Sequence, residues 1–210
     1  MVTEPATMLT DYALGVLCTY FSWQLGKSQQ ARTQMSVRCW AAGMGALAVA
    51  SFAGGTVHGG ALILSGAVLS ALWKATAFMI GLASFSFFVG TLAASVRLPL
   101  RRLLMGVPIL QLVIYTVWLI THTNFRYVIY NYGVTFTVIF LIQMYDLLTR
   151  PSRSVGWIIA GVSVSFLAAG VQRSGIAVHP SFNHNDLYHV VQMAGMALLY
   201  RGAALLHDRQ

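Results

Sequence analysis

The sequence predicts an all-α bundle of seven membrane-spanning helices. Three observations carry that prediction: the composition, the spacing of long apolar runs, and the sidedness of the basic residues. Of 210 residues, 57% are hydrophobic and 9% charged, with a mean hydropathy of +0.69. A soluble domain has about a quarter of its residues charged. Five acidic residues cannot cover a globular surface of this size, so most of the chain faces lipid or other helices. This composition excludes a cytosolic enzyme and a secreted disulfide scaffold. The net charge of +8 is spread over several loops and marks no nucleic-acid-binding face.

Crossing a bilayer takes about 20 apolar residues. Runs of that kind occupy 6–26, 37–58, 68–96, 103–121, 127–149, 155–171 and 185–206 of a single polytopic domain, 1–210. The first has no basic segment ahead of it and contains Asp11, so it reads as a retained span and not as a cleaved signal peptide. The second is rich in small residues, Ala42, Gly43, Gly45, Ala46, Ala50, Ala53 and Gly54, which let backbones approach in lipid and predict a central position. Residues 61–73 are apolar and precede Lys74; they read as a short lid running into the third span. The seventh opens with polar residues, where Asn183 or Asn185 is placed to cap a helix. Cys18 and Cys39 lie in apolar surroundings and are expected to be free thiols.

Orientation follows from the cytoplasmic retention of Lys and Arg. Lys27, Arg32 and Arg38, then Arg97, Arg101 and Arg102, then Arg150 and Arg153, then Arg201 and Arg209 all fall on one side. Only Arg126 and Arg173 fall on the other, with Lys74 just inside the third span. The expectation is an N-terminus outside and a C-terminus in the cytoplasm, in a bacterial-type inner membrane with lipids as surroundings and no nucleic-acid partner.

Ionisable groups inside a membrane segment are costly and usually face the interior of the bundle, so their depth carries functional information. Asp11, His58, Lys74, His122, Asn131, Gln172, His179, His184, Asn185, Asp186, His189 and Gln192 all lie in the outer half. On the inner side Asp146 stands four residues before Arg150, a helical ion-pair spacing. The densest outer segment is 182–192. Within it Asn185, Asp186, His189 and Gln192 share one helical face, with Tyr188 beside them. His184 and His189 are five apart and converge only if His184 lies in the loop before the helix, where His179, Pro180 and Ser181 point to irregular backbone. With His58 from the second span they form a candidate zinc-type set of nitrogen ligands, completed by a carboxylate or water.

Seven spans, a histidine near the end of the second and a histidine-bearing start of the seventh resemble the CREST superfamily of intramembrane hydrolases, which includes alkaline ceramidases and progestin-adipoQ receptors. His58 matches that family's second-helix histidine and His189 the later histidine of its seventh helix. Gly54 stands in place of the family's serine, Asn185 in place of its first seventh-helix histidine, and the third span has Lys74 but no Asp. The resemblance implies a zinc site of His58, His189 and either His184 or Asp186. If the site is catalytic, the expected chemistry is metal-assisted hydrolysis of a lipid amide or ester, with Asp186 or Asp11 as proton acceptor and Lys74 stabilising the oxyanion. The alternative is a non-catalytic protein, serving ligand binding, transport or a larger complex. In that case Asp11, Lys74, Asn131, Gln172 and Asp186 form a structural or ligand-receiving network; Asn131, Asn185, Tyr188 and Gln192 are the supporting polar residues of the site.

Overall fold

The computed structural model describes residues 2–179 and 182–210; the predicted irregular backbone at Pro180 and Ser181 lies outside them. The chain is all-α. Among the described residues the helices are α1 Pro5–Gly26, α2 Gln29–Thr33, α3 Met35–Gly60, α4 Gly66–Ser95, α5 Leu100–Leu104, α6 Gly106–Thr121, α7 Phe125–Thr149, α8 Arg153–Ser174 and α9 His184–Ala203. Among the described residues five segments are long and apolar enough to cross a membrane: α3, α4, α5 continuing into α6, α7 and α8. α1 and α9, of 22 and 20 residues, are also long helices. They fall outside that set because they carry the polar residues of the interior, Asp11 on one and Asp186, His189 and Gln192 on the other.

Local chemistry sets the helix starts. The side chains of Ser28, Ser65, Asn124, Ser152 and Asn183 accept amide protons from the first turns of α2, α4, α7, α8 and α9. α8 ends at Gly175, whose φ of 69° is the left-handed conformation that closes a helix at little cost for glycine. The apolar stretch expected as a lid is mostly helix: after a turn at 61–64, α4 begins at Gly66 and runs 30 residues. At 1.5 Å per residue that is about 45 Å. It exceeds a hydrocarbon thickness of about 30 Å, so α4 must tilt or project.

Six helices form a closed ring in the order α1, α3, α4, α7, α8, α9 and back to α1. α3 packs extensively against both α1 and α4, as its small residues predict, but it is a stave of the ring and the centre is partly a cavity. α6 lies outside the ring against α4 and is tied to α7 by Gln111, whose amide donates to Asn131 Oδ1 at 2.9 Å and Thr135 Oγ1 at 2.7 Å. Its other face exposes residues such as Leu110 and Ile120. Below the cavity the interior is solid: Trp40, Phe87 and Phe136 are fully buried, with ring centroids 4.6 Å and 6.1 Å apart along the series.

The arginine-rich end is closed by the C-terminal segment. Asp208 accepts from the backbone amides of Met35 at 2.6 Å and Ser36 at 2.8 Å, capping α3 from 172 residues away. Arg209 donates to Ser95 O at 2.8 Å, Arg150 to the same carbonyl at 3.1 Å, and Arg101 to Ala93 O at 3.3 Å. Three cations thus meet the carbonyls at the negative end of α4. Asp146 pairs with Arg150 as its spacing predicts, and both cysteines are free.

Candidate functional site

A partly enclosed cavity of about 290 Å³ opens inside the ring at the end opposite the arginines. All six ring helices line it. α1 contributes Asp11, α3 Ser51, Gly54 and His58, α4 Trp73 and Thr76, α7 Phe125 and Tyr132, α8 Gln172, and α9 Asn185, Tyr188, His189 and Gln192. Gly54 keeps space open here: an added Cβ would stand 3.5 Å from Asp11 Oδ2 and 3.6 Å from Thr76, ordinary contact distances.

The core of the site is the Asp11–His189 pair, with Oδ1 to Nε2 at 3.1 Å and both side chains 9% exposed. Nδ1 of the same imidazole lies 3.0 Å from Thr10 Oγ1. Thr10 is itself within donating distance of the carbonyls of Ala6 at 3.0 Å and Thr7 at 3.1 Å. A hydroxyl has one proton. If Thr10 directs it to the backbone, Nδ1–H donates to Thr10; if Thr10 donates to Nδ1, Nε2–H donates to Asp11. In the first case a neutral ring accepts from a protonated Asp11, and a doubly protonated ring donates to both partners. Every arrangement holds one proton on the line between Asp11 and His189.

Asp186 performs a different task. Its Oδ2 accepts from Asn183 N at 2.6 Å, and the Asn183 side chain accepts in return from the first turn of α9, a capping box. Its Oδ1 accepts from Thr7 Oγ1 at 2.7 Å, joining α9 to α1. The carboxylate is buried and does not line the cavity. Gln192 donates from Nε2 to Ser165 Oγ at 3.1 Å and to Tyr132 OH at 3.3 Å. Its Oε1 is buried and has no partner among the described residues.

Of the predicted metal set, His58 and His189 both line the cavity. His58 is held by Glu4, with Nδ1 to Oε2 at 2.8 Å, near the surface. His184 is the first residue of α9, half-buried and outside the cavity lining. Among the described residues no three side chains of His, Cys, Asp or Glu converge as a metal site requires. Of the predicted catalytic set, Asp11 lies at the centre and Lys74 is exposed on α4, next to Trp73, whose indole donates to Thr123 O at 2.8 Å. Of the supporting set, Asn185, Tyr188 and Gln192 line the cavity, while Asn131 belongs to the α6–α7 junction.

Sequence reasoning missed Glu4, Thr7, Thr10 and Ser165. Thr7, Thr10, Asp11 and Leu14 fall at i, i+3, i+4 and i+7, so the spacing alone places both threonines on the Asp11 face.

No curated protein and no solved structure matches the chain. A family profile described as a family of unknown function (DUF6962) matches residues 6–208, nearly the whole length. The chain belongs to that family.

Proposed function

We propose that this is a multi-pass membrane protein of seven spans, N-terminus outside and C-terminus cytoplasmic in a bacterial-type inner membrane. Its outer half holds a binding cavity for a small, largely apolar molecule bearing a hydrogen-bond donor. The observation that carries this reading is Gln192, a cavity-lining residue whose buried Oε1 has no donor among the described residues. An unmade hydrogen bond of that kind costs about 1–3 kcal/mol, which an N–H or O–H of a ligand relieves once the amide turns toward the cavity. The volume of about 290 Å³ suits a small molecule. The aromatic walls from Trp73, Phe125, Tyr132 and Tyr188 supply apolar contact.

Thermal unfolding of the purified protein with phenethylamine, phenethyl alcohol and propylbenzene, three probes of one shape, tests the reading. A ligand that binds only the folded state raises the midpoint by mass action. The amine or the alcohol is expected to raise it and the hydrocarbon to do so far less, with the difference lost in Gln192→Leu. Equal effects of all three, or none from any of them, overturn the proposal.

A second reading, zinc-assisted hydrolysis of a lipid amide or ester, is favoured by one observation: Asp11, His58 and His189 line the same cavity. In the arrangement described, both nitrogens of His189 already have partners, so a metal would need His189 to exchange one of them and a further ligand to turn inward. Stoichiometric zinc that disappears in His58→Ala and His189→Ala supports this second reading.

A further inference from the structure

At the opposite end of the bundle a groove of about 550 Å³ runs between the end of α4, the segment leading to α5, the end of α7 and the C-terminal residues. One wall is apolar and open: Leu98, Leu100, Leu141 and Tyr145 are 43%, 53%, 62% and 63% exposed. The other carries charge. Arg209 is partly buried and uses Nη1 on Ser95 O, leaving most of its five N–H donors for other partners. Arg97 is exposed and has no carboxylate within ion-pair distance among the described residues, whose ion pairs are Glu4–His58, Asp11–His189 and Asp146–Arg150. Asp146 also lines the groove, but Arg150 neutralises it.

Two cations beside an exposed apolar wall, at the level where helices end, match the two parts of one kind of molecule. We infer that this groove binds one anionic phospholipid, its phosphate accepting from the guanidinium groups of Arg97 and Arg209 and its upper acyl chain lying along Leu98, Leu100, Leu141 and Tyr145. The charge balance selects an anionic lipid: the ammonium of a zwitterionic headgroup would be brought against the same two cations. The apolar wall selects a lipid over free phosphate. The inference rests on the membrane reading and is independent of what the outer cavity binds.

Native mass spectrometry of the protein released from mixed micelles tests it, with phosphatidylglycerol and phosphatidylcholine of matched chains as probes. One phosphatidylglycerol is expected to be retained in preference to phosphatidylcholine. Arg97→Gln is expected to weaken that retention about fivefold, the contribution of one basic residue near an anionic lipid surface. Arg153→Gln, a change of the same charge at the start of α8 away from the groove, is expected to leave it within experimental scatter. Equal retention of the two lipids overturns the inference, and so does equal loss in the two variants, which marks a diffuse surface potential. Competition by millimolar inorganic phosphate as effective as by lipid also overturns it. Retention of both lipids without preference leaves the membrane reading standing, whereas retention of neither removes support from both.

Discussion

Both ring nitrogens of His189 are engaged, one by Asp11 and one by Thr10, in a site where each partner is at least half-buried. Removing one member of a buried pair leaves the other charge or dipole without compensation, at about 3–5 kcal/mol. His189→Ala is therefore expected to lower unfolding stability by about that amount. Asp11→Asn, which keeps a hydrogen-bonding group against Nε2, is expected to cost nearer 1 kcal/mol. The Glu4–His58 pair has the same chemistry in an exposed setting, with side chains 46% and 26% accessible, and His58→Ala should change stability by no more than about 1 kcal/mol. Denaturant titration of the three variants in one detergent checks the order; a His189→Ala loss no larger than that of His58→Ala would refute the structural role of the pair. Asp11, His58 and His189 were all legible as unusual residues, because a charge or an imidazole is rare in a span. Thr7 and Thr10 were not, because a hydroxyl that bonds its own helix is ordinary there.

The α8–α9 contact depends on glycine. A Cβ on Gly161 would stand 2.6 Å from Leu199 Cγ and 2.9 Å from its backbone nitrogen, and one on Gly202 would stand 3.0 Å from Ile158 N. Side chains can turn aside but backbone cannot, so the helices must separate. In lipid such close packing is a main source of helix association. Gly161→Ala is expected to cost about 1–3 kcal/mol, the usual range for overpacking. Gly133→Ala, where an added Cβ meets nothing within 4 Å, should be neutral or stabilising by up to about 1 kcal/mol from helix propensity. Thermal midpoints of the two variants give the comparison, and equal shifts would show that the crossing tolerates separation. The small residues of α3 announced its packing in advance because they are dense and uninterrupted. Those of α9 are fewer, and those of α8 fall on both its buried and its exposed sides, so they gain meaning only from the residues opposite.

Across the whole molecule, the two ends differ in chemistry: cations close one, and a cavity with histidine, carboxylate and amide groups opens at the other. The proposed orientation is expected to leave Thr123→Cys labelled by a membrane-impermeant maleimide in intact cells and Gln29→Cys labelled only after permeabilisation. Both positions are exposed, and the native Cys18 and Cys39 are buried and half-buried, so the unsubstituted chain serves as the control. The reverse pattern would invert the assignment and move the cavity to the cytoplasmic side. The sequence by itself determined the all-α class, the positions of the long helices to within a few residues, the sidedness of charge and the short-range Asp146–Arg150 pair. Each of these follows from interactions along one helix or between one helix and the bilayer. Only the tertiary structure decided that Asp186 caps α9 and bonds Thr7, that Asp11 meets His189, that Asp208 caps α3, and that His184 stays out of the lining of the cavity that His58 lines. Contacts such as Thr7 to Asp186 join residues 179 apart. Helical periodicity says which face of α1 or α9 turns inward; which helix it then meets is set by the close packing of the whole ring.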